Sequence, residues 1–95
     1  MTLEQFKSTL AQQHPPATLA PILQSLWHDG KHNWDKAHDI AQDISTSEGS
    51  LVHAYLHRKE GDIFNARYWY RRAGREMPAC SLEEEWENLV KEFLL

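Results

Sequence analysis

Apolar residues recur at the helical period along most of this chain. The clearest stripe lies between Gly61 and Pro78, where small and apolar residues stand three or four positions apart: Ile63, Ala66, Tyr70, Ala73 and Met77. This spacing places them on one face of a helix. Because Ala66 and Ala73 are small, the stripe predicts that a neighbouring helix approaches this face closely.

The same period, with local start and stop signals, predicts five more helices. Thr2 can cap a first helix that ends near Gln13, ahead of two prolines. The others are expected at about residues 18–27, 33–45, 51–60 and 81–94, and residues 45–50 read as a polar loop. Gly30 is expected to end the second helix in the left-handed conformation, and Ser81 begins a capping box for the last. No segment alternates as a strand does, so the sequence predicts an all-α fold in a single domain, residues 1–95.

The predicted helices also form pairs. Residues 18–45 and 50–78 align as two helix–turn–helix units, with Ala37 opposite Ala66. The second unit has the spacing Gly-x4-Ala-x6-Ala-x4-Pro, which resembles a tetratricopeptide repeat. The resemblance implies two tetratricopeptide-like helix pairs, with an N-terminal helix and a capping helix at 81–94 covering their apolar faces.

A denser motif joins the fourth and fifth helices. From His53 to Gly74 the chain reads HAYLHRKEGDIFNARYWYRRAG. This stretch is similar to the hallmark of a family of small helical proteins, His-Ala-x-Leu-His-Arg-x-Glu-Gly-Asp followed by Asn-Ala-x-Tyr-Trp-Tyr. That resemblance implies no settled activity. Within it, Tyr68, Trp69 and Tyr70 point in three directions, and Trp69 is expected to pack under the final helix.

His53 and His57 lie one turn apart, on a face predicted to meet the fifth helix. Buried imidazoles need polar partners, so one interpretation is a hydrogen-bonded network that fixes the packing. The other is a site for a small molecule or a metal, completed by His38. No local pattern fixes a third metal ligand, so no metal or cofactor is assigned. The candidate ligand-binding residues are His38, His53, His57, Arg58, Asn65 and Tyr68.

The leading functional hypothesis is a non-catalytic interaction module. The tetratricopeptide resemblance implies a groove lined by outward positions of each unit's first helix. In the second unit these are Leu51, Tyr55, Arg58 and Lys59, a mixed surface that suits an acidic peptide or protein tail. The alternative is a small-molecule or metal-binding protein, an enzyme included. No serine lies in a nucleophile elbow and Cys80 has no evident base, so no catalytic residue is predicted.

Charge and composition narrow the choice of partner. The net charge of −4 argues against a dedicated nucleic-acid binder. No apolar run reaches the roughly 20 residues that span a bilayer, and the N-terminal segment does not read as a signal peptide. The single cysteine, Cys80, favours a cytoplasmic setting. Six of the ten basic residues lie between Arg58 and Arg75, and five glutamates lie in the last helix, which predicts mutual neutralisation of neighbouring helices. The alternative is an anion-binding stripe along Arg67, Arg71 and Arg75, which share one helix face.

Overall fold

A computed structural model describes every residue from Met1 to Leu95. It contains six α-helices and no strand, which confirms the all-α prediction. The helices are α1 (Leu3–Thr9), α2 (Pro21–Gly30), α3 (Trp34–Gln42), α4 (Ser47–Glu60), α5 (Ile63–Arg72) and α6 (Leu82–Leu94). None of them combines the length and the apolar character that crossing a bilayer requires.

Most helix starts are fixed by a side-chain cap. An oxygen of the capping side chain accepts a backbone N–H bond at the start of every helix except α2, which begins with Pro21 instead. The cap at Thr46 starts α4 four residues earlier than predicted, so the expected loop at 45–50 is wrong. Gly49 makes this early start possible, because a Cβ there would lie 2.0 Å from the carbonyl oxygen of Ile44.

The helix ends depend partly on packing between helices. Gly61 ends α4 in the left-handed conformation with φ 90°. Gly30 does not behave in this way, and the prediction for it is wrong. Gly30 is the last helical residue of α2, and an added Cβ would lie 3.0 Å from the ring of Trp86, so its small size serves close packing. His32 takes the left-handed conformation instead, with φ 63°.

The helices pack as two neighbouring pairs with two flanking helices. α2 packs on α3, α4 packs on α5, and contact between α3 and α4 joins the pairs. α6 lies against both α2 and α4, and α1 lies on α6. Because α4 contacts four other helices, all residues from Leu51 to His57 are buried. α4 is therefore the central helix of the domain.

Only the middle of the predicted apolar stripe of α5 is buried. Ala66 and Tyr70 are buried against the rest of the core. Ile63, the first residue of α5, is 38% exposed. Ala73 and Met77 lie beyond the end of α5 and are half-buried.

Candidate functional site

Three imidazole rings meet where α3 packs on α4. His53 and His57 come from successive turns of α4, and His38 faces them from α3. The ring centroids lie 4.5 Å apart for His38 and His53, 5.2 Å for His38 and His57, and 4.7 Å for His53 and His57. One ring nitrogen of each histidine lies within 4.8 Å of those of the other two. We call these three residues the histidine cluster.

Local packing explains why His38 reaches the other two. On α3, Ala37 and Ala41 are fully buried, and such small residues allow helices to approach closely. The indole Nε1 of Trp34 donates a hydrogen bond to the carbonyl oxygen of Leu56, 2.8 Å away. This bond ties the start of α3 to α4, and His38 follows one turn later on the same face.

Two tryptophans stack on rings of the cluster. Trp34 stacks on His38 with centroids 4.8 Å apart, and Trp69 of α5 stacks on His53 at 4.0 Å. The expectation that Trp69 packs under the final helix is therefore wrong, because Trp69 lies on the side of α5 that packs on α4. The two indoles limit the access of water to the rings.

Only one ring of the cluster is hydrogen-bonded to the protein. His57 Nδ1 lies 2.6 Å from Glu60 Oε2, on the next turn of α4. The ring nitrogens of His38 and His53 make no hydrogen bond with another protein group, although His53 is only 6% exposed. The expected network of satisfied histidines is thus formed at His57 alone.

Burial keeps two of the rings neutral. The pKa of the His53 imidazole is lowered to about 4, mainly because burial disfavours its charged form and also because His38 and His57 lie close by. The pKa of His38 is lowered as well, first by burial and then by His57. At neutral pH both rings therefore present an unshared electron pair, the form in which histidine binds a metal.

Arg58, Asn65 and Tyr68 do not join the cluster. The Arg58 guanidinium points to α6 and the turn before it, and donates to Glu85 Oε1 at 2.7 Å and to the carbonyl oxygen of Cys80. Asn65 donates to the capping carboxylate of Asp62. Tyr68 is 47% exposed and accepts a hydrogen bond from Arg72.

The residues predicted to line a partner groove are placed differently from the expectation. Leu51 and Tyr55 are 5% and 2% exposed, so the expectation that they face outward is wrong. Tyr55 donates its hydroxyl hydrogen to Asp29, which also pairs with Lys59 at 2.9 Å. The physical reason is α6, which packs across the faces of α2 and α4 that would otherwise form the groove.

Sequence reasoning did not assign Trp34 or Trp69 to the site, whereas Glu60 was among the polar groups that it offered as hydrogen-bond partners of the histidines. The signals were present in the spacing: Trp34 precedes His38 by one turn, and Glu60 follows His57 by three residues. Trp69 had no local signal, because its contact with His53 depends on how α5 lies on α4.

Comparison with protein-family models, curated proteins and solved structures found no match to this chain. The likenesses to tetratricopeptide repeats and to the small helical family stay predictions.

Proposed function

We propose that this protein binds a divalent transition-metal ion of the zinc class through His38, His53 and His57. One observation supports this proposal above the others. Three imidazoles from two helices converge with their nitrogens within 4.8 Å, and two of them have no hydrogen bond to the protein. Three histidines with a free fourth position form a common zinc arrangement, and imidazole also suits copper and nickel.

The geometry needs only small adjustments to hold an ion. Zinc lies about 2.0–2.1 Å from imidazole nitrogens, so nitrogens in a tetrahedral site are separated by about 3.3 Å. The separations of up to 4.8 Å would close by side-chain rotation of roughly an ångström per ring. His38 has the most freedom to move, since it is half-buried and lies at the rim.

Glu60 has the position of an outer-shell partner. Histidines that bind metals usually donate their other ring N–H to a carboxylate, which fixes the tautomer and makes the ligand more basic. A proton on His57 Nδ1 directed at Glu60 leaves Nε2 as the nitrogen available to the ion. The acidic side chain also supplies negative charge beside a cation in a cluster of otherwise neutral ligands.

A pure packing role is the competing explanation, and it fits the cluster less well. A packing network would give each buried ring a polar partner. His53, the most buried of the three, stacks on Trp69 and makes no hydrogen bond to a protein group, so its ring nitrogens are left in contact with solvent. The aromatic cover instead resembles the apolar shell that surrounds many metal sites.

Calorimetric titration of chelator-treated protein with Zn²⁺ tests the proposal, with elemental analysis of untreated protein as a complement. We expect one ion per chain. His38→Ala should weaken binding by at least about a hundredfold, because a direct ligand matters at least as much as an outer-shell group. The matched control is His14→Gln, which changes an exposed histidine outside all six helices. No Zn²⁺ uptake by the wild type, or equal affinity in His38→Ala, would overturn the proposal.

Stability measurements separate a ligand from a packing residue. Zn²⁺ at about a hundred times its dissociation constant should raise the free energy of unfolding by about 2.7 kcal/mol. His53→Ala should lose this increase in addition to any stability that it loses without metal. If His53→Ala unfolds more easily yet keeps the full increase with Zn²⁺, His53 is a packing residue and not a ligand.

A further inference from the structure

The outer face of α5 carries aromatic and basic side chains and nothing covers it. Phe64 is 89% exposed and Tyr68 is 47% exposed, whereas Ala66 and Tyr70 on the opposite face are buried. The remaining exposed residues of this face are arginines. We define the arginine–aromatic face as Phe64, Arg67, Tyr68, Arg71 and Arg72.

Two arginines of this face have no acidic partner within the chain. α5 contains no acidic residue, and the five ion pairs of the protein involve neither Arg67 nor Arg71. Arg72 differs, because its guanidinium lies over Trp69 at 5.3 Å and donates to the Tyr68 hydroxyl. The expected neutralisation by α6 occurs at Arg58, which pairs with Glu85, and at Arg75, which pairs with Glu92, both at 2.7 Å.

We propose that the arginine–aromatic face docks an acidic segment of a partner protein. Arg67 and Arg71 would each bind a carboxylate, and Phe64 would contact an apolar side chain. Arginine suits this role because its planar guanidinium binds a carboxylate through two parallel hydrogen bonds. Arginine and aromatic residues are also the types in which protein interfaces are enriched.

The spacing of the face can be met by an extended segment. Phe64, Arg67 and Arg71 lie nearly in line along the helix, about 4.5 and 6 Å apart in rise. Alternate residues of an extended chain lie about 6.6 Å apart and point to one side. A segment of the form Phe-x-Glu-x-Glu presents its apolar and acidic groups within about 2 Å of both intervals, a difference that the long arginine side chains can span.

The surroundings favour a short acidic segment over a nucleic acid. Asp62 precedes the face and Glu76 follows it, and both are exposed. These carboxylates limit the positive potential to about two helical turns. A nucleic acid needs a longer basic track for its phosphates, and the chain as a whole carries −4. This inference is independent of metal binding.

Fluorescence anisotropy with a labelled synthetic peptide, three repeats of Phe-Ser-Glu-Ser-Glu, tests the inference. We expect saturable binding that disappears when lysine replaces glutamate and weakens when alanine replaces phenylalanine in the peptide. The double variant Arg67→Glu, Arg71→Glu should bind at least about tenfold more weakly. Phe64→Ala should bind several-fold more weakly.

The matched control is the double variant Lys36→Glu, Lys91→Glu, which makes the same change in net charge at exposed positions on α3 and α6. It should bind the peptide as the wild type does, and both double variants should take up Zn²⁺ normally. Equal losses in the two double variants would overturn the inference, as would no peptide binding or tighter binding to an oligothymidylate of similar length. Self-association that Arg67→Glu, Arg71→Glu abolishes would also overturn it, because the occupant would then be a second copy.

Discussion

Tyr70 of α5 donates its hydroxyl hydrogen to Glu85 of α6 across 2.5 Å, and both side chains are buried. The other carboxylate oxygen of Glu85 accepts from Arg58 of α4 at 2.7 Å. One buried carboxylate thus connects α6 to both helices of the second pair. This connection holds α6 over the surface that a tetratricopeptide-like groove would need.

Glu85→Ala should destabilise the fold by about 3–5 kcal/mol, because it leaves the partly buried Arg58 charge and the buried Tyr70 hydroxyl without their partner. Urea unfolding measures the change. Glu92→Ala is the control, since it breaks the exposed pair with Arg75 and should cost less than about 1 kcal/mol. Similar losses of unfolding free energy in the two variants would show that the buried Glu85 contributes no more to stability than the exposed Glu92.

Glu60→Gln should weaken Zn²⁺ binding by about 10–100-fold without changing the stoichiometry. The neutral amide orients and activates the His57 ring less well than the carboxylate does. Calorimetric titration measures the affinity, and Glu83→Gln on the exposed side of α6 serves as the control. An unchanged affinity would show that Glu60 does not act as an outer-shell partner of the metal site.

Gly49→Ala should destabilise the protein by about 2–3 kcal/mol, because the new Cβ would lie 2.0 Å from a backbone oxygen, which cannot move without shifting the chain. Gly30→Ala should cost less, since its closest neighbours are side chains at 3.0–3.1 Å and alanine gains about 1 kcal/mol in helix propensity. Thermal and urea unfolding of the two variants check this order. If Gly30→Ala proves more destabilising than Gly49→Ala, the backbone before α4 moves more easily than the side chains of Trp86 and Leu10.

Two tyrosines should resist ionisation until the protein unfolds. Burial, and then the neighbouring carboxylates of Asp29 and Glu85, raise the pKa of Tyr55 and Tyr70 above the usual value. Because the unfolded chain releases these protons at about pH 10, stability is complete below that pH and falls as the pH rises further. In Tyr68→Phe, phenolate absorbance should therefore appear only together with loss of helical circular dichroism. Gradual absorbance while the helices persist would contradict the raised pKa.

Local chemistry along the sequence determined the helices. The caps at Thr2, Asp62 and Ser81 and the left-handed Gly61 act through bonds within a few residues, so they could be read without a structure. The pairing of His53 with His57 is equally local, because residues four apart share a helix face. Fold class and all three proposed ligands were therefore named from the sequence, although local spacing placed only His53 and His57 together.

Tertiary packing decided the rest. His38 joins the cluster because α3 packs on α4, and Trp69 covers His53 because α5 also faces α4. Leu51 and Tyr55 are buried because α6 comes back across α2 and α4. Periodicity shows that a helix has an apolar face, but residues far away in the chain determine which helix covers that face, and hence which side chains remain free to bind.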